Sequence, residues 1–452
     1  MAWDGLARPW ARQAAAELRE LGVRVALGGE GTELLRGGTA PNCLVKSPGL
    51  PPTVPLLEEA ARAGIEIVDE AELGWRLDTR PLVAVTGTNG KSTVAALVRA
   101  VLTESGARPC IAANTYFGPP LSALPEEPDV VVGEISSYQL DFCPALLPEA
   151  ALLTNLTAHH LKRHDSVERY AECKRRLFVR GEAATGLAVL NLDDQFGRRL
   201  AAEVDERGGR VVGYGRGEDA EYRLQGIQWS LTEGRVRAAT PSGELELRTR
   251  LPGPYNAQNV LAALALAGGL GIDLDEAALA IGQTEPVPGR LEVIRQAPPI
   301  DVIVDYAHDP VGTAAVLGIG REFVRRRGQG RLVAVLSSVD VISDQTEQRQ
   351  IGMAAGRLCD LLVLTSSRWD LAEPASPPSP LVEGAQAAGS AAVETVDDRG
   401  EAIRGAIATA GDGDCVLILG RGPFGGRLYD SRGKALPFDD REVAHEAVLE
   451  RE

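Results

Sequence analysis

Lysine is scarce in this chain: Lys46, Lys91, Lys162, Lys174 and Lys434 stand against 42 arginines. Arginine stays charged at any physiological pH, whereas a lysine can shed its proton when its surroundings demand it. An arginine-rich genome produces the same bias, so a lysine is informative where it also falls inside a motif. Cysteine is sparse and scattered. Cys43, Cys110, Cys143, Cys173, Cys359 and Cys415 form no C-x-x-C pair, which argues for reduced thiols and against a structural zinc site. No run of about 18 apolar residues occurs, so no membrane span is expected. The first residues carry Asp4 and two tryptophans rather than a basic-then-apolar leader, and the chain is expected in the cytoplasm. Positive charge is also in deficit: 47 basic against 63 acidic residues give a net charge of −16. Such a surface repels phosphate backbones, so nucleic acid is excluded as a partner and anionic substrates need local donors.

What is present is a chain of 452 residues, 44% hydrophobic and 24% charged, long enough for two to four domains. Residues 1–79 alternate helical and strand patterns: an amphipathic helix over 11–22, the strand GVRVAL, the strand CLVKSPG, the helix PLLEEAARAG and the strand IEIV. That spacing predicts a small parallel sheet. Residues 80–285 open with the apolar, β-branched run LVAVT, as expected for a strand buried on both faces. Further strands are expected at VVVGEI, AALLTNL and LAVLNL, then short antiparallel strands from about Val211 to Arg250, then a long helix. Residues 286–452 repeat the doubly wound α/β pattern with the strands DVIVDYAH, LVAVLS, DLLVLTS and CVLILG. Three α/β units in series is the predicted architecture.

Gly87-Thr88-Asn89-Gly90-Lys91-Ser92-Thr93 joins the predicted buried strand to a helix. A glycine-rich turn there lets backbone N–H groups close around phosphate oxygens, helped by the helix N-terminus. Lys91 would contact the β/γ-phosphates, and Ser92 or Thr93 would hold Mg2+. The loop lacks the usual upstream glycine, with Ala84 at that place. Three further segments follow: Glu134-Ile135-Ser136-Ser137-Tyr138-Gln139-Leu140, Asn155-Leu156-Thr157-Ala158-His159-His160-Leu161-Lys162-Arg163-His164, and Ala171-Glu172-Cys173-Lys174-Arg175-Arg176-Leu177-Phe178. Together they resemble the Mur ligase superfamily of ATP-dependent amide-forming enzymes, and its D-glutamate-adding type most closely over the first two units.

The resemblance implies a three-domain α/β architecture: a small Rossmann-like N-terminal domain for the acceptor, a P-loop ATPase-like central domain and a Rossmann-like C-terminal domain for the amino acid. It implies that Glu134 and His160 share Mg2+ with a carbamylated Lys174, a modification open to lysine and closed to arginine. Asn256 and Asn259, in LPGPYNAQN, are similar to the pair whose amides approach the nucleotide base, and Arg290 stands at the hinge where it could reach ATP.

The third unit is different. Val304-Asp305-Tyr306-Ala307-His308-Asp309-Pro310 resembles the D-Y-A-H-x-P of the ligases that add the third amino acid and of folylpolyglutamate-type relatives. Asp305 would then assist ATP or Mg2+ and His308 would sit near the transferred phosphate. Gly420-Arg421-Gly422-Pro423 and Phe438-Asp439-Asp440-Arg441 are similar to the same group. Ser337-Ser338-Val339-Asp340 replaces its G-G-D-R segment. Ser366-Ser367-Arg368-Trp369 replaces the D-N-P-R that binds diaminopimelate, which argues against that amino acid.

The SPGLPP segment and Glu70–Arg76 follow the D-glutamate-adding pattern, but that type opens with a further strand and a glycine-rich turn, whereas this chain is read as starting inside the helix that follows. The leading expectation is a monomeric enzyme that joins D-glutamate to UDP-N-acetylmuramoyl-L-alanine for peptidoglycan, using ATP and Mg2+. A related ligase with another acceptor or amino acid, and a non-catalytic ATP-binding paralogue, are the alternatives.

Overall fold

The computed structural model describes the chain apart from residues 6–8, 37–39, 114–116, 298–299, 338–343, 367–375, 423–425, 430–434 and 452. The run Leu82–Thr86 is buried at every residue and lies inside a nine-stranded sheet, parallel to Val130–Glu134 on one side and to Ala150–Leu153 on the other. From one edge the strand order is Pro109–Ala112, Val130–Glu134, Leu82–Thr86, Ala150–Leu153, Leu187–Asn191, Arg210–Gly215, Tyr222–Trp229, Gly234–Thr240 and Gly243–Thr249. The first six are parallel because helices connect them and cover both faces, which also makes them continuously apolar. The last three form an antiparallel meander in which buried and exposed positions alternate.

One strand corrects the sequence reading. Arg210–Gly215 was expected with the antiparallel group, yet it pairs parallel with both Leu187–Asn191 and Tyr222–Trp229. The helix Gln195–Glu206 carries the chain across the sheet before it, and a helical crossover returns a strand in the same direction.

The helix Asn256–Gly269 is buried on nearly every side and packs with Lys91–Glu104 in the largest apolar cluster of the central unit. This sets Asn259, in the first turn of one helix, against Gly90 at the start of the other.

The third unit is a six-stranded sheet in the order Glu292–Ala297, Ile300–Asp305, Cys415–Leu419, Leu332–Leu336, Leu361–Leu364 and Ala392–Thr395. All of its pairs are parallel except the first, which is an antiparallel edge. Apolar clusters cover both faces, the doubly wound arrangement expected from its strands.

The N-terminal unit departs from expectation twice. It forms two separate parallel ladders, Ala2–Asp4 with Val25–Leu27 and Cys43–Lys46 with Glu66–Asp69, rather than one sheet. The chain also does not start inside a helix: the strand Ala2–Asp4 precedes the helix Pro9–Glu20. A three-residue strand with half-buried side chains gives too little alternation for sequence reading to register Ala2–Asp4, whereas its partner falls within the expected strand GVRVAL. The unit is fastened to the central one by buried polar contacts. The Asp69 amide donates to the Phe142 carbonyl at 2.8 Å and the Glu72 carboxylate accepts from the amides of Ala145 and Leu146, while within the unit Lys46 Nζ donates to Asp69 Oδ2 at 2.8 Å. Among the described residues no helix is long and apolar enough to cross a membrane.

Candidate nucleotide and metal site

Strand Leu82–Thr86 ends at Gly87, and the turn to helix Lys91–Glu104 is drawn tight by a neighbouring strand end. The Thr88 amide donates to the Asn155 carbonyl at 2.9 Å and the Asn89 amide to Asn155 Oδ1 at 3.0 Å. The Asn89 carbonyl accepts from Thr154 Oγ1 at 2.7 Å and Asn155 Nδ2 at 3.0 Å. Both glycines are required. Gly87 has φ +145°, and a Cβ there would lie 1.9 Å from Thr154 Oγ1. Gly90 has φ +87°, and its Cβ would lie 2.4 Å from Asn259 Oδ1.

Lys91 folds back over this turn. Its Nζ donates to the carbonyls of Thr88 at 2.9 Å and Gly87 at 3.2 Å. Burial lowers its pKa, the nearby Glu134 opposing and Arg290 adding to the shift. Ser92 and Thr93 follow on the first helical turn, both buried, and Ser92 Oγ accepts from Arg290 Nη2 at 3.4 Å.

Lys174 comes from the helix Val167–Arg175 and is 1% exposed. Its Nζ donates to the Gly87 carbonyl at 2.8 Å and lies 4.6 Å from the centre of the Tyr170 ring, one helical turn earlier. Burial pushes its pKa well below that of a free lysine, and the charge of Lys91 pushes it further. A neutral amine is the form that can react with carbon dioxide, so the environment suits the carbamate that the resemblance implies.

Glu134 ends its strand 3% exposed, and among the described residues neither its Oε2 nor the buried His160 Nδ1 has a hydrogen-bond partner. Orphaned buried acceptors on two converging side chains are uncommon in proteins. His160 holds a left-handed backbone, φ +57°, at the start of helix Leu161–His164. Its pKa is lowered well below the histidine norm, first by burial and then by His159, His308, Lys91 and Lys174. It is therefore neutral, with a lone pair to offer. A carboxylate oxygen, a neutral imidazole and a carboxylated lysine form a hard, oxygen-rich set that fits Mg2+.

The third unit closes over this group. His308 Nδ1 donates to the Tyr306 carbonyl at 2.9 Å, which leaves Nε2 as the acceptor, and burial lowers its pKa. Arg290 stacks 4.5 Å from the Tyr306 ring centre. Asn89 Nδ2 reaches Asp309 Oδ1 at 3.4 Å, and His159 Nδ1 meets Glu347 Oε1 at 3.2 Å. Both contacts join the central and third units.

Three of the motif residues are held by contacts within the fold. Asp305 accepts from the amides of Leu291 at 2.7 Å and Ala307 at 2.6 Å through its two oxygens, which secures the hinge and the following loop. Asn256 donates to the Pro252 carbonyl at 2.6 Å and accepts from Asn259 Nδ2 at 2.7 Å; the pair stands against Gly90. Asp440, in the C-terminal segment, is buried in a bidentate pair with Arg399. Pro423 and the replacement segments at 338–340 and 367–369 lie outside the described residues.

Sequence reading passed over His159, Tyr170, Asp309 and Glu347. The first three carried a signal, since His159 adjoins His160, Tyr170 stands four residues before Lys174, and Asp309 lies within the motif of His308. Glu347 carried none, because its place depends on how two units meet.

The family described as "Mur ligase middle domain" matches residues 85–267, and "Mur ligase, glutamate ligase domain" matches residues 289–422. A UDP-N-acetylmuramoyl-L-alanyl-D-glutamate–2,6-diaminopimelate ligase from Chromobacterium violaceum is 34% identical over 419 residues, covering 87% of this chain and 82% of its own length. A UDP-N-acetylmuramyl-tripeptide synthetase from a Roseiflexus species is 31% identical over 407 residues, covering 82% and 78%. The crystal structure of a UDP-N-acetylmuramate-alanine ligase from Thermotoga maritima superposes with a TM-score of 0.63 at 19% identity, covering 100% of this chain and 98% of that one. At that identity the match speaks for the fold. These relatives correct the expected kinship: the similarity is to the type that adds the third residue, not foremost to the D-glutamate-adding type.

Proposed function

The chain belongs to the Mur ligase family of ATP-dependent ligases, and from that premise we propose that it adds an amino acid to the dipeptide of a UDP-N-acetylmuramoyl acceptor. The names of the relatives support the acceptor. One observation in the fold carries the chemistry: Lys91, Lys174, Glu134 and His160 converge on the phosphate loop, with two of their acceptor atoms buried and unpartnered.

In this reading the substrate carboxylate takes the γ-phosphoryl group of ATP and ADP leaves. The amine of the amino acid then attacks the acyl carbon, loses a proton, and expels phosphate to leave the amide. The amides at the start of helix Lys91–Glu104 and the Lys91 ammonium hold the phosphates and neutralise the charge that moves between them. Glu134, His160 and carbamylated Lys174 would hold Mg2+ with Ser92, and the ion would supply further neutralisation of phosphate charge. His308, through Nε2, and Arg290 approach from the third unit, so the constellation is complete with the units apposed. The amino acid is not carried over from the diaminopimelate ligases, because Ser366 begins a segment that replaces the motif which binds it. The enzyme would act as a monomer in the cytoplasm.

Phosphate release measured with UDP-N-acetylmuramoyl-L-alanine and with its D-glutamyl extension, each crossed with a panel of amino acids, tests this. Turnover with the dipeptide acceptor and an amino acid other than diaminopimelate is expected. Turnover confined to the monopeptide acceptor and D-glutamate would overturn the proposal, as would none with either acceptor.

A further inference from the structure

Beyond the phosphate site, Asp141, His164 and Cys173 bring one carboxylate oxygen, one imidazole nitrogen and one sulfur within 4.8 Å of one another. They come from three neighbouring helical segments: the end of Ser137–Leu140, the last residue of Leu161–His164, and the helix Val167–Arg175 that carries Lys174. We propose that they form a binding site for a divalent transition metal of the zinc class, behind the helix face that presents Lys174.

Two of the three separations suit that ion as they stand, and the third, between Asp141 and His164, is within 4.8 Å. Metal bonds of about 2.3 Å to sulfur and 2.0–2.2 Å to nitrogen or oxygen, at tetrahedral angles, set ligand atoms about 3.5 Å apart. Cys173 Sγ lies 3.3 Å from Asp141 Oδ1 and 3.7 Å from His164 Nδ1. Each partner is also aimed by a second contact. His164 Nε2 is 3.0 Å from Ser137 Oγ; with the proton on Nε2, the Nδ1 lone pair faces Cys173. Asp141 Oδ2 is occupied by the Arg163 guanidinium at 3.1 Å, so Oδ1 is the oxygen turned toward the sulfur. Outer contacts of this kind orient the ligands of metal centres.

His164 and Cys173 are buried, while Asp141 is half-buried and gives the side of approach. Arg163, Arg169, Arg176 and Lys174 are the cations that act on the group, and two anionic ligands offset part of that charge once the thiol proton has left to solvent. Mixed thiolate, imidazole and carboxylate donors favour zinc or cobalt over magnesium, so the site is chemically distinct from that of Glu134 and His160. Three protein ligands leave a fourth position for water.

Cobalt(II) reports the site directly. Titration of the full chain with cobalt chloride, in the presence of excess Mg2+, should saturate at one equivalent with a near-ultraviolet thiolate charge-transfer band and visible bands of tetrahedral intensity. The Cys173→Ala variant should lose the band, Asp141→Asn should weaken binding at least tenfold, and Cys43→Ala, which alters an exposed thiol, should change neither. Should Cys173→Ala fail to fold, zinc protection of wild-type Cys173 from alkylation, located by mass spectrometry, decides the matter. A band that survives in Cys173→Ala, no band at millimolar cobalt, or alkylation of Cys173 that zinc leaves unchanged would overturn the site.

Discussion

Lys174 Nζ donates a 2.8 Å hydrogen bond to the carbonyl of Gly87, so the amine proposed for carbamylation is anchored on the first residue of the phosphate loop. The two features lie 87 residues apart in sequence, and the sheet makes them adjacent. Burial accounts first for the downward pKa shifts of both Lys174 and Lys91, since neither ammonium is well solvated; the charge of Lys91 adds to the shift of Lys174, and that of Arg290 to the shift of Lys91.

That shift has a consequence for stability. The unfolded chain binds a proton at Lys174 up to about pH 10.4, while the folded chain releases it at lower pH. Wherever the unfolded state holds more protons, stability rises with pH. In carbon-dioxide-free buffer, wild-type stability to urea should climb relative to Lys174→Met between neutral pH and about pH 10, with the methionine variant the more stable at pH 7. A parallel pH dependence for the two proteins would show that Lys174 is not held neutral.

Catalysis tests the same residue separately. Lys174→Ala should lose most ADP formation and regain part of it when formate or acetate is added, because a small carboxylate can take the place of the carbamate. Wild-type protein under labelled carbon dioxide should give a carbamate carbon resonance that the variant lacks.

Removal of Lys91 takes away the one cationic side chain of the Gly87–Thr93 segment. Lys91→Ala should lower kcat by about 10²–10³-fold, the scale seen when one charge-stabilising donor is removed, with the circular dichroism spectrum unchanged. Wild-type turnover in this variant would remove Lys91 from the chemistry.

Gly90 leaves no room for a methyl group. Gly90→Ala combines a left-handed φ of +87° with a Cβ 2.4 Å from Asn259 Oδ1, and should destabilise the chain by about 1–3 kcal/mol. Nucleotide affinity measured by calorimetry should fall as well, because relief of the clash moves the turn or the asparagine. In the double variant Gly90→Ala, Asn259→Ala the steric part should be recovered and the backbone strain should persist.

Glu347 is the counterpart of His159 across the central and third units, 3.2 Å away with both side chains 4% exposed. Glu347→Ala leaves a buried imidazole without its partner, a loss of about 1–3 kcal/mol. Hydrogen exchange should quicken in helix Gln345–Leu358 and around His159, and kcat should fall more than KM changes.

The sequence by itself determined the chemistry of the turn and the class of the fold. A buried β-branched strand, two glycines and Lys91 at the start of a helix leave few other structures, and apolar runs without alternation dictated parallel sheets covered on both faces. Lys174 stood out because lysine is rare here. Only the tertiary structure decided what depends on distance rather than spacing: that Asp305 ties a hinge, that Glu347 meets His159, that Arg210–Gly215 runs parallel, and that a cysteine without a C-x-x-C partner stands beside a histidine and an aspartate. Periodicity reports which face of an element is apolar, and a motif reports what one segment can do. Neither reports which polar side chains from separate segments meet, because that is set by how sheets twist and units dock, with the short-range geometry decided by packing.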